Sequence, residues 1–305
     1  MDAYGDHIGG LIANARETTM IKEEFNVERI GEVKGTFSVI STEGDEVLAS
    51  NVVIATGRSG HRALRRWLTD LKVSYEENAP DIGVRVEVET AALDKRFFYQ
   101  DDPKFKFNFN GLGQGRTFCT CRGGMVVPIK FGPGFFADGA FARKDTGRTN
   151  VALMARTDET FGADALEDWC RSINSSSRNT LLLGEFALAD LTDGRLVDNL
   201  TDLIPEGPTS KHKMVLRTLS EKLISKQGVG MFSGGERQGP VRVYGPAIDR
   251  YWPKVDLSLG FATSKQGLYV IGDAAGVSRG IVQAATAGAS WAETQCGQLD
   301  QIALA

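Results

Sequence analysis

Histidine and cysteine are both scarce in this chain: three histidines and four cysteines occur among 305 residues. The cysteines, Cys119, Cys121, Cys170 and Cys296, are too few and too scattered for a disulfide framework in a chain this long. The histidines His7, His61 and His212 lie in separate segments, and none stands beside Cys119 and Cys121 to complete a zinc site. Surplus positive charge is missing too. Against 39 Asp and Glu stand 35 Lys and Arg, a net charge of −4, so nucleic acid is not an expected partner. No apolar run approaches the roughly 18 residues of a membrane span. Residues Met1 to Asp6 lack the basic and apolar regions of a secretory leader. The expected setting is cytoplasmic. No Ser-His-Asp set or pair of glutamates stands out as hydrolytic machinery.

What is present is ordinary globular material, 42% apolar and 24% charged, with length for about two domains. Ile8, Leu11 and Ile12 at helical spacing predict a short amphipathic helix over 5–17, with Asp6 as its cap. Strand-like runs follow at 25–30, 35–42 and 47–55. The last ends in Val52-Val53-Ile54-Ala55, apolar at consecutive positions, which suits a parallel strand covered on both faces. It stops at the turn Thr56-Gly57-Arg58-Ser59-Gly60, and a helix with Leu64, Trp67, Leu68 and Leu71 facing inward comes next.

Residues 75–249 change character. Strand candidates at 83–88, 117–120, 125–129 and 151–155 are separated by glycine-rich loops at 111–115 and 132–139, and helices are predicted near 163–173 and 210–226. After them the buried-strand pattern returns in Leu268-Tyr269-Val270-Ile271, followed by Gly272-Asp273-Ala274-Ala275-Gly276 and an alanine-rich helix over 281–295. The predicted class is α/β, or α+β over the whole chain. A partial doubly wound domain is formed by 1–74 and 250–305. A mostly antiparallel substrate domain, 75–249, is inserted into it.

One motif carries chemistry. Residues 263–273 read Thr-Ser-Lys-Gln-Gly-Leu-Tyr-Val-Ile-Gly-Asp, which fits Thr-x4-hydrophobic-Tyr-hydrophobic-hydrophobic-Gly-Asp, the second flavin fingerprint of FAD proteins. A cofactor binds beyond the carboxyl ends of such buried strands. Gly272 permits a sharp backbone turn there. Asp273 offers a carboxylate to the ribityl hydroxyls, a charge-assisted contact. Gly-Asp alone is a common turn; the threonine, the tyrosine and the glycine at the helix entry distinguish it here. The predicted FAD-binding residues are Ala55, Thr56 and Gly57 at the first strand end, with Gly272, Asp273, Ala274, Arg279, Gly280 and Ile281 at the second.

The stretches VIATGRSG (53–60), DIGVRVE (81–87), RTFCTCRGGMVV (116–127) and GLYVIGDAAGVSRGIVQAA (267–285) resemble the FAD-dependent dehydrogenase family of two-dinucleotide-fold flavoproteins, in its bacterial "FAD-dependent protein" group. The resemblance implies hydride transfer between FAD and a small-molecule substrate, with the inserted domain covering the flavin. Such proteins open with a strand and a Gly-x-Gly-x-x-Gly loop for the pyrophosphate. The near match Gly111-Leu112-Gly113-Gln114-Gly115 has the wrong spacing and follows no strong strand. The expectation is therefore a chain that enters the flavin domain partway. Its partner would be a chain carrying the amino-terminal FAD segment, and it would bind FAD weakly alone. The alternative class is a non-catalytic subunit that completes a flavin site only with that partner.

Other residues are weighed against ordinary roles. Strand alternation would turn Cys119 and Cys121 to one side, as packed residues beside the cleft; a role near flavin or substrate comes mainly from the resemblance. His61, just past Ala55-Thr56-Gly57, is the histidine placed to reach a cofactor, against plain surface placement. Arg85, Arg116, Arg122 and Arg242 are candidates for an anionic substrate, though single arginines more often pair with surface carboxylates. Arg279, beside the fingerprint, is the better one.

Overall fold

The computed structural model describes residues 2–303 apart from 96, 98, 101, 179, 189–192, 209, 226 and 233–238; side chains of 2–8 and 296–303 lie outside the description. Helix α1 (Asp2–Thr18) leads into an antiparallel meander of β1 (Val27–Val33), β2 (Thr36–Ser41) and β3 (Glu46–Ala49). Next come β4 (Val52–Ile54), helix α2 (His61–Asp70) and the short strand β5 (Tyr75–Glu76). The following strands are β6 (Asp81–Glu89), β7 (Lys106–Phe109), β8 (Gly113–Arg122), β9 (Met125–Phe131), β10 (Gly134–Ala140) and β11 (Arg148–Arg156). Helix α3 (Ala163–Ser176), β12 (Leu182–Ala187), α4 (Asp193–Asp202), α5 (Ser210–Ile224) and β13 (Pro240–Asp249) follow. The chain closes with β14 (Lys254–Val255), β15 (Leu268–Val270) and α6 (Ile281–Ala303).

Strands from opposite ends of the chain meet. β15 pairs parallel with β4, Leu268 opposite Val52 and Val270 opposite Ile54. The Ile271 amide extends the ladder by donating to the Ile54 carbonyl at 3.0 Å. Against this pair packs α2, whose Leu64 and Leu68 are fully buried, and the meander adds Ile30 and Phe37 to the same core. The consecutive apolar positions of 52–54 and 268–270 thus have the reason expected: both strands are covered.

Residues 81–249 build a six-stranded antiparallel sheet of order β12-β13-β6-β11-β8-β7. On β6, alternation sends Val84, Val86 and Val88 into a core with α5 residues Val215, Leu216 and Leu219. The opposite face is covered by the β9–β10 hairpin and α3, around Phe131, Phe136, Leu166, Tyr251 and Trp252. The molecule is a mixed α/β structure, with the parallel pairing confined to β4 and β15.

Several predicted boundaries need correction. The run 47–55 is two strands, because β3 pairs antiparallel with β2 while β4 pairs parallel with β15, and the chain must turn at Ser50-Asn51 to change partners. Residues 132–139 are not a loop: only Gly132-Pro133 turns, and Gly134–Ala140 is a strand. Gly113 to Gly115 likewise belong to β8, where backbone pairing overrides glycine's preference for loops. Strand β13 went unpredicted because Pro240, Gly245 and Pro246 read as breakers. The sheet accommodates the inner two through a register shift between Tyr244 and Ala247. In α1, Leu11 and Ile12 are half exposed, so its apolar stripe finds no deep cover among the described residues.

Candidate functional site

β4 and β15 end side by side, and each hands the chain to a glycine in the left-handed region, Gly57 (φ 63) and Gly272 (φ 66). A residue with a Cβ is strained there, so glycine lets both strands turn away at the same level. A cleft of about 710 Å³ opens above the two turns. Seven of the nine predicted residues line it: Ala55, Gly57, Gly272, Asp273, Arg279, Gly280 and Ile281. Thr56 and Ala274 do not. Thr56 is exposed and its side chain packs toward Gly60, while Ala274 is fully buried in the core beneath.

Asp273 sits in the 3-10 turn Gly272–Ala275. Its Oδ1 accepts from the Gly280 amide and the Ser278 hydroxyl, both at 3.2 Å, which ties the turn to the entry of α6. Oδ2 receives no hydrogen bond among the described residues, and its nearest charge is Arg58 Nε at 4.0 Å. The threonine and tyrosine of the fingerprint act at a distance from the cleft. Thr263 Oγ1 donates to the Leu268 carbonyl at 3.0 Å and accepts from the Lys265 amide at 3.1 Å, fixing the turn that starts β15. The Tyr269 hydroxyl donates to Gln295 Oε1 at 3.1 Å and its ring meets Trp291 edge-on, which seats α6.

The opposite wall comes from the antiparallel sheet, the β9–β10 hairpin and the segment after β13, through Arg116, Phe118, Cys119, Asp138, Gly139, Asp249 and Trp252. Of these, Phe118, Asp138, Gly139, Asp249 and Trp252 were not singled out in the sequence. Nor was Arg58, although it stands inside the Ala-Thr-Gly turn. Beneath the wall lies a buried ionic network. Asp81 accepts from Arg116 Nε at 2.9 Å and from Arg156 Nε at 2.5 Å. Asp249 accepts from Arg116 Nη2 at 2.8 Å and from Arg279. Burial opposes the charge on Asp81, yet hydrogen bonds and charge from Arg156 and Arg116 hold its carboxyl below the usual carboxylate range. Burial lowers the Arg279 pKa from its ordinary value, as does the nearby Arg116.

The remaining candidates are dispersed. Arg85 is fully buried behind Gly139, donating to the Cys119 carbonyl at 3.0 Å and 3.3 Å from Asp138. Arg242 pairs with Glu185 at 3.1 Å and Glu87 at 3.6 Å, and neither it nor the exposed Arg122 lines the cleft. His61 is neither on the surface nor in the cleft: it is buried between Phe131 and Tyr251. His212 packs near Phe161 on α5, away from the cleft. The His7 side chain and Cys296 fall outside the described residues.

Strict alternation also fails at the cysteines. Asn150 pairs with Cys121 and Ala152 with Phe118, so Cys119 and Thr120 bulge opposite Val151, with Cys119 at φ 43. Cys119 lines the cleft and Cys121 is buried outside it. Burial raises the Cys119 thiol pKa, which keeps it protonated near neutral pH. Among the described residues no cluster of potential ligands for a metal ion forms, and no helix is long and apolar enough to cross a membrane.

No family model and no curated protein matches the chain. Solved structures with partial likeness include the Diels-Alderase PyrE3 of pyrroindomycin biosynthesis, with 10% identity, TM-score 0.34, and coverage of 88% of this chain and 39% of that one. Another is 2,6-dihydroxypyridine-3-hydroxylase from Arthrobacter nicotinovorans, with 13% identity, TM-score 0.33, and coverage of 82% and 49%. A third is Klebsiella pneumoniae HpxO complexed with FAD and uric acid, with 11% identity, TM-score 0.31, and coverage of 87% and 46%. The chain thus spans less than half the length of each of these proteins. Likeness at this level carries nothing about chemistry, which the cleft's own residues must supply.

Proposed function

We propose that this cleft holds the isoalloxazine and ribityl half of FAD, and that the protein is a flavin oxidoreductase acting on a small molecule. The observation that carries the reading is the corner where two parallel strands end on left-handed glycines beside Asp273, whose Oδ2 is left as an open acceptor. The residues fit the group. A ribityl hydroxyl donating to Oδ2 would complete the Asp273 carboxylate. Around Gly57, nothing lies within 4 Å of where a side chain would begin, so a planar ring system can approach the backbone closely.

FAD, when bound, supplies the acceptor for a hydride. The chain's own part is position and electrostatics. Gly280, Ile281 and Ala284 of the α6 entry line the cleft, so the amino end of the helix adjoins the space where reduction would place negative charge. Such a helix end contributes about 0.3–1 kcal/mol, which tunes a potential rather than creating the chemistry. Phe118 and Trp252 exclude water from the other side. On this reading, residues 75–249 form the cap that selects substrate, and the pyrophosphate and adenosine are held by a segment contributed from elsewhere.

Titration of the purified protein with riboflavin and with FAD, followed by flavin fluorescence, tests the reading. Both are expected to bind, with similar affinity, because the cleft reaches only the half they share. Asp273→Ala should weaken both by about 1.5–3 kcal/mol, the range for a hydrogen bond to a charged group, or about 10- to 150-fold. Unchanged affinity would remove Asp273 from the site. Absence of any flavin binding would sink the assignment, and a large preference for FAD would place a pyrophosphate site within this chain.

A further inference from the structure

The ionic network beneath the cleft does not balance. Arg116, Arg156 and Arg279 share only two carboxylates, Asp81 and Asp249. The other acids at the cleft are already matched, Asp138 by Arg85 and Asp273 by Arg58. One positive charge is therefore in excess in a partly buried region, where unmatched charge is costly and a bound anion relieves it.

Two of the cleft's guanidinium groups have donors to spare. Arg279 spends Nη2 on Asp249 and makes no other hydrogen bond among the described residues. Arg58 makes no side-chain hydrogen bond among the described residues and is 42% exposed. Arg279 also lies over the Phe118 ring, 5.4 Å from its centroid, as Arg116 does at 4.6 Å, and its bond to Asp249 holds its fork in place. Trp252, 1% exposed, lines the same cleft with an indole N–H that has no acceptor among the described residues.

We infer that Arg279, assisted by Arg58 and the Trp252 indole N–H, forms a subsite for a small organic carboxylate. A guanidinium fork held in place suits a carboxylate bidentately. Arg116 acts as a positioning residue, because it holds Asp249 and is itself committed to Asp81. The inference depends on the flavin reading only where the anion is called a substrate.

The test is calorimetric titration of the flavin-free protein with benzoate and with its neutral isostere benzamide. Wild type should bind benzoate at least about tenfold more tightly, one charged pair's worth of discrimination. Arg279→Gln should abolish the preference, Arg279→Lys should retain part of it, and Arg242→Gln, far from the cleft, should retain it fully. Circular dichroism checks folding. Should Arg279→Gln not fold, the exposed Arg58→Gln decides, with a three- to tenfold loss of preference expected. Equal binding of benzoate and benzamide, or a preference that survives in the deciding variant, overturns the subsite. Riboflavin binding without a benzoate preference sinks this inference and spares the flavin reading; a benzoate preference without riboflavin binding does the reverse.

Discussion

His61 shows how a residue's neighbours decide its role. Its Nδ1 lies 2.9 Å from Arg65 Nη1, and an arginine can only donate, so Nδ1 is the unprotonated nitrogen and Nε2 carries the proton. Glu167 Oε1 is 3.6 Å from Nε2 but already accepts from Arg62 at 2.5 Å. Burial first, then the charges of Arg65 and Arg62, lower the His61 pKa from 6.5 to about 3. The fold therefore holds the ring neutral, whereas the unfolded chain takes up a proton below 6.5. Stability contributed by the neutral ring is complete above pH 6.5 and drains away as pH falls toward 3. The wild type should lose up to about 1.4 kcal/mol per pH unit more than His61→Phe in this window, read from urea unfolding at a series of pH values. Parallel pH profiles for the two proteins would show that His61 is not held neutral.

Among elements, the β9–β10 hairpin joins the antiparallel sheet to the helix beside the cleft. Its turn residue Gly132 has φ 56, and a methyl group there would overlap the Glu167 carboxylate. Glu167 is 1% exposed on α3 and receives Arg62 from α2, so the turn, α3 and α2 meet at one carboxylate. Gly132→Ala should cost about 1–3 kcal/mol, the usual range for backbone strain combined with a displaced buried charge. A loss below about 0.5 kcal/mol in urea unfolding would mean that the hairpin does not seat on Glu167. The fingerprint works at this scale too. Thr263 sets where β15 begins and Tyr269 seats α6, and only Ile271, Gly272 and Asp273 reach the cleft.

Over the whole molecule, protection should follow the sheets. β6 and β11 each have strands on both sides and are buried along nearly their full length. Their amides are expected to exchange most slowly, with those of β1, β3 and α1 opening at lower free energy because their faces are largely exposed. Hydrogen exchange read by mass spectrometry checks this order. Faster exchange in β6 than in β3 would contradict it.

The sequence by itself determined the two buried strands and the corner beyond them. Consecutive apolar residues at 52–54 and 268–270, each followed by a glycine, specify covered strands with sharp exits whatever surrounds them. It also determined α2, α3 and α5, whose apolar residues recur at helical spacing, and seven residues of the cleft wall. Tertiary structure alone decided the opposite wall. Phe118, Asp138, and the neighbouring Asp249 and Trp252 come from three segments with no shared motif, brought together by sheet order and by the hairpin folded over it. It also decided which arginines matter. Periodicity records whether a residue points inward, but the charge a guanidinium meets there depends on partners as distant as Asp81 and Asp249. The bulge at Cys119 and the proline-bearing strand β13 stayed hidden for the same reason: pairing with neighbouring strands, not local preference, sets the backbone at both.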